Sequence, residues 1–234
     1  MPPPSAPPAN PAPAADGTPS AALGPMLVAA VLGTGAWSWI GATDRLTWWM
    51  ESCWVIVGLP VAILVARRRG ITPLLQVLLA AHAVVLLVGA HYTYERVPLG
   101  DWWRDWFGFA RNHYDRLGHL MQGFAPAILV RELLRRTSPL GPGGWTPVLV
   151  VCCALAFSAV FEMIEWASSV ALGHGADAFL GSQGDPWDAQ WDMLCCLIGA
   201  TASLAIFTVA TSLHERQLAR LYRTLRPAQP NARA

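Results

Sequence analysis

Residues 71–93, ITPLLQVLLAAHAVVLLVGAHYT, run without a single Asp, Glu, Lys or Arg. A hydrocarbon core of ~30 Å needs ~20 predominantly apolar residues to be crossed as a helix. Further apolar segments fall at about 25–42, 48–66, 115–134, 146–172 and 189–212. Helix is the form that satisfies all backbone polar groups within one segment in lipid. The expected fold class is therefore all-α, a polytopic membrane protein with six transmembrane helices. Only 13% of the 234 residues are charged, about half the share in a soluble domain. The five cysteines form no C-x-x-C pair and lie in apolar segments, where they read as small packing residues.

Three domains are expected: a disordered Pro/Ala-rich tail over 1–24, a membrane domain over 25–212, and a basic C-terminal tail over 213–234. The leading segment carries one charge, Asp16, and lacks the basic start of a secretion signal. Orientation follows the arginines, since basic loops stay cytoplasmic. Arg67, Arg68 and Arg69 lie between spans two and three, Arg131, Arg135 and Arg136 close span four, and five arginines follow span six. These regions alternate correctly when both termini are cytoplasmic. All acidic residues except Asp16, Glu132 and Glu215 then fall on the outer side. The expected location is the bacterial inner membrane, multi-pass. The lipid bilayer is the expected partner, with an envelope lipid or a cationic ligand on the outer side, and no nucleic acid is expected.

Between spans three and four, GDWWRDWFGFA places Trp102, Trp103, Trp106 and Phe107 on one helical face and Asp101, Arg104 and Asp105 on the other. This pattern predicts a short interfacial helix.

Some polar residues near the span ends have capping explanations. Asn112 can cap span four, with Asp115 in its first turn, and Asp185-Pro186 reads as an N-cap followed by Pro at N1. Capping does not explain His119, Asp192, Glu162 and Glu165, which lie deeper, nor His91 and His82 in span three. Asp115-x3-His119, Glu162-x2-Glu165 and Asp188-x3-Asp192 each put two ionisable groups on one helical face. Ionisable side chains at membrane depth turn inward towards partners or a wet cavity and mark functional sites by default. The candidate ligand or metal residues are Asp115, His119, Glu162, Glu165, Asp185, Asp188, Asp192 and His91. Oxygen donors suit Mg, Mn or Ca, and histidine admits Zn or Fe, so a divalent metal is the cofactor class implied. Three readings stand: a metal-occupied polar pocket, an intramembrane enzyme acting on an envelope lipid, and a proton-coupled carrier. Structural interhelical pairing through Arg111 or Arg116 is the competing explanation.

The stretches HYTYERVPL, RNHYDRLGHLMQGFAPAILVRE, FEMIEW and GSQGDPWDAQWDM resemble motifs of the YjdF-like family of bacterial inner-membrane proteins over about residues 70–212. The order Asp-x3-His, Glu, then an Asp run before a Gly-containing helix is also distantly similar to VanZ-like membrane proteins. The first resemblance implies a multi-span inner-membrane architecture and adds little chemistry.

Overall fold

The computed structural model describes residues 22–173 and 177–225. Residues 1–21 of the proline-rich segment and 226–234 of the basic tail lie outside the described residues. Helices α1 (Leu23–Ile40), α2 (Arg45–Arg69) and α3 (Pro73–Tyr92) are followed by a 3-10 turn (Tyr94–Arg96) and α4 (Pro98–Phe107). Then come α5 (Tyr114–Thr137), α6 (Trp145–Leu172), the short α7 (Asp177–Leu180), α8 (Asp188–Leu204), a π turn (Ala205–Ala210) and α9 (Leu213–Leu225). No strand occurs among the described residues.

Local chemistry sets these boundaries. Asp44 accepts from Thr47 N at 2.7 Å and starts α2. Thr72 does the same for Leu75 N in α3, with Pro73 at the first helical position. Gly108, in the left-handed region at φ 68°, ends α4. The anticipated cap at Asp185 is displaced: α8 begins only at Asp188, and Asp185 accepts from Trp187 N at 3.0 Å in a tight turn.

Among the described residues five helices are long and apolar enough to cross a membrane: α1, α2, α3, α6, and α8 with its π continuation. They expose large apolar side chains such as Ile40, Val57, Trp166, Val170 and Val209. Several charged residues are instead buried, among them Glu51, Arg131, Glu132 and Asp192. An apolar exterior around a charged interior suits a lipid surround.

Helix α5 is more polar than these five, carrying Asp115, Arg116, His119, Arg131, Glu132, Arg135 and Arg136. It occupies the centre, packed on α3, α6 and most extensively α8. The α5–α8 contact is made by glycine. A Cβ on Gly123 would lie 1.9 Å from the Cys196 carbonyl oxygen, and one on Gly199 would lie 2.0 Å from that of Leu120. Without a hydrophobic drive between helices in lipid, such close backbone approach supplies the packing energy. Ala127, Val150, Ala154, Cys196 and Ala200 extend this small-residue core to α6.

Helix α9 docks back through an ionic network. His214, fully buried, meets Arg131 Nη1 at 2.8 Å and Glu132 at 3.4 Å. Arg131 also pairs with Glu215. Glu132 further accepts from Thr72 Oγ1 at 2.8 Å and Arg136 at 3.1 Å. Glu132→Leu removes one partner each from Thr72, His214 and Arg136, and removing one partner of a buried pair costs ~3–5 kcal/mol. A lower melting temperature in detergent, with new tryptic cleavage inside α9, is the expected result. An unchanged digest would show that the network does not hold α9.

Candidate functional site

The first turn of α5, the outer half of α6 and the first turns of α8 converge on one buried cluster. Asp115 and His119 stand i, i+4 on α5, with His119 Nε2 3.6 Å from Asp115 Oδ1. Asp192 comes from α8, brought close by the glycine contact below it. Asp115, His119 and Asp192 each offer one ligand atom, and these atoms lie within 4.8 Å of one another. All three residues are buried, Asp192 with only 1% exposure. Glu162 of α6 approaches His119 Nδ1 at 3.6 Å, and Gln122 holds the same nitrogen at 3.1 Å. Glu165, one turn further along α6, is buried as well.

Asp185 and Asp188 are placed differently. Arg111 bonds Asp188 Oδ1 at 2.6 Å and the Gly181 carbonyl at 3.1 Å, and Arg116 bonds Asp185 Oδ2 at 2.8 Å. Asn112 and Gln183 exchange two further bonds, at 3.0 and 2.8 Å. The segment before α5 is thereby clipped to the segment before α8 as a neutralised rim. His91 is not brought to the cluster. Its ring stacks on Trp37 at 4.1 Å, and its Nδ1 meets the Ser38 carbonyl at 3.0 Å, joining α3 to α1.

Among the described residues no arginine forms an ion pair with Glu51, Asp115, Glu162, Glu165 or Asp192. One oxygen of Asp192 and one of Glu162 are buried with no hydrogen-bond partner. Buried carboxylates without partners carry a desolvation cost of several kcal/mol per ion, relieved by a proton or a cation. The Asp115/His119/Asp192 donors, one imidazole and two carboxylates, form a set that divalent transition metals accept.

Beside this cluster is a cavity of about 50 Å³. Glu51 of α2, His82 of α3 and Tyr94 of the 3-10 turn line it together with Asp115, His119 and Gln122. Trp54, Phe157 and Phe161 form its apolar side. Tyr94 reaches this place through a strained turn: the preceding Thr93 has φ 62°, a conformation that costs a β-branched residue ~1–3 kcal/mol. The Tyr94 ring lies in a slot between α3 and α5 that only glycine permits, since a Cβ on Gly89 would meet it at 2.4 Å and one on Gly118 at 2.8 Å. Its hydroxyl faces the Glu51 carboxyl without completing a hydrogen bond. Burial, then the nearby Glu51 charge, pushes the Tyr94 hydroxyl well above the usual tyrosine range, so it stays a neutral donor.

Residues 24–212 match the family described as "Predicted membrane protein (DUF2238)". The chain is 46% identical over 181 residues to "Inner membrane protein YjdF" of Escherichia coli strain K12, an alignment covering 77% of this chain and 85% of that protein. The chain belongs to this family. No solved structure matches it. The DUF2238 match takes in every residue of the cluster and the cavity and stops just short of α9.

Sequence reasoning did not single out Glu51, Tyr94 or Gln122. Glu51 reads as one more acid at the outer end of a span. A usable signal is its neighbourhood: Thr47, Trp48, Glu51, Ser52 and Val55, spaced as one helical face, are all buried. Tyr94 carries no such signal, because its place depends on the turn at Thr93.

Proposed function

We propose that the protein is a six-span inner-membrane protein, both termini cytoplasmic, with a divalent-metal pocket at outer-leaflet depth held by Asp115, His119 and Asp192. The unpartnered, fully buried Asp192 oxygen beside an imidazole and a second carboxylate carries the metal reading. Glu162 lies close enough to His119 to orient its ring, Glu165 is buried one turn further along α6, and Asp185 and Asp188 close the rim through Arg111 and Arg116. Elemental analysis of the purified protein tests it, with about one equivalent of a divalent metal expected.

Helix α5 supplies the sixth span. Its 24 residues at ~1.5 Å each reach ~36 Å, enough for a hydrocarbon core. It tolerates charge because α3, α6 and α8 surround it. Helix α4 lies on the outer surface, with Trp102, Trp106 and Phe107 exposed to the interface. In a protein with Cys53, Cys152, Cys153, Cys195 and Cys196 replaced, a single cysteine at Gln183 should react with an impermeant thiol reagent in whole cells. One at Gly143 should react only after lysis. Equal labelling of both positions in intact cells would refute the arrangement.

A further inference from the structure

The cavity lies on the side of Asp115 and His119 where Glu51, His82 and Tyr94 stand, and it is not filled by any side chain. Two polar atoms of its lining are buried without a hydrogen-bond partner. The Tyr94 hydroxyl is buried and unpartnered, in a residue only 4% exposed. His82 Nε2 is likewise buried without a partner. Glu51, 3% exposed, forms no ion pair among the described residues and lines the same space. A structural zinc is enclosed by four protein ligands, and three protein ligands leave at least one coordination position open on zinc or on a six-coordinate ion such as Mn²⁺. Asp115, His119 and Asp192 are three. We infer that the metal keeps an open coordination position facing this cavity, and that the cavity holds exchangeable water there, oriented by Glu51 and Tyr94. This rests on the metal reading above.

Size and charge select the occupant. A volume of about 50 Å³ has room for water, which needs ~10–15 Å³ of such space. No arginine lines the space, so it offers an anion no fixed positive charge. Tyr94 donates and Glu51 accepts, which matches a water molecule that does both. Trp54, Phe157 and Phe161 supply the apolar remainder.

The test uses the full-length protein in detergent loaded with Mn²⁺, and the field dependence of water-proton relaxation, which counts waters exchanging on the ion. At least one exchangeable water is expected in the wild type. Glu51→Leu should keep the Mn²⁺ and lose that water, dropping relaxivity severalfold. Leu86→Trp, which narrows the cavity from its apolar wall, should act alike and serves if Glu51→Leu does not fold. Mn²⁺ bound with no exchangeable water in the wild type would overturn the inference and leave the metal site standing. Loss of Mn²⁺ in Glu51→Leu but not in Leu86→Trp would make Glu51 a ligand and overturn its assigned role. An unchanged water count in both variants would overturn it as well. No Mn²⁺ bound by the wild type would refute the metal reading itself, and the inference with it.

Discussion

Asp192→Asn should abolish metal binding while leaving the fold intact. The substitution keeps the shape of the side chain and removes one charge. The Asp192 oxygen without a partner has no hydrogen bond to lose, so the helix contact between α5 and α8 is undisturbed. Loss of a residue that merely orients a ligand weakens metal binding ~10–100-fold. Loss of a ligand should exceed that and take the metal content of the purified protein from about one equivalent to near zero. The wild type should also gain thermal stability on metal addition, ~2.7 kcal/mol at one hundred times the dissociation constant, and Asp192→Asn should gain none. His119→Ala should behave alike in metal content, although it also strands Gln122 and Glu162 and should melt lower. Full metal retention by both variants would place the ion elsewhere. A metal-free wild type as stable as both variants would make the cluster a set of protonated carboxyls and end the metal reading.

Gly199→Val should give the largest loss of folded protein. Its Cβ would lie 2.0 Å from the Leu120 carbonyl oxygen and 3.0 Å from Phe124 N. The obstacle is helix backbone, which cannot rotate aside as a side chain does. Ordinary overpacking costs ~1–3 kcal/mol, and separating the most extensively packed pair of helices should exceed it. Gly123→Val faces the Cys196 carbonyl in the same way and should match it. Gly33→Ala in α1 meets nothing within 4 Å and should leave melting unchanged. Fluorescence size-exclusion of tagged variants reads the difference directly. A monodisperse Gly199→Val protein at wild-type yield would show that α5 and α8 are not held by this contact. The metal site should fail together with the contact, since Asp115 and His119 sit on one of these helices and Asp192 on the other.

Much of the site was legible because helical periodicity acts at short range. Asp115 and His119 are four apart, and that spacing alone puts them on one face. Their common depth with Asp192 and Glu162 followed from counting residues along each span. His91 had the same depth and the same chemistry, yet it turns towards α1 and stacks on Trp37. Depth is set by position along a helix, but facing is set by rotation about its axis, and rotation is decided by the partner helices. Asp185 and Asp188 were equally plausible ligands by spacing. Arg111 and Arg116, distant in sequence, claim them.

By itself the sequence determined the helical class, the apolar segments, the family and the polar residues that need an interior explanation. These are local or additive properties, fixed by hydropathy over ~20 residues and by a period of 3.6. Only the tertiary structure decided that the most polar long helix, α5, stands at the centre, that glycines on α5 and α8 bring the donors together, and that Glu51 and Tyr94 wall a cavity beside them. Those facts depend on which helix faces which and how closely backbones approach, and no single segment encodes either.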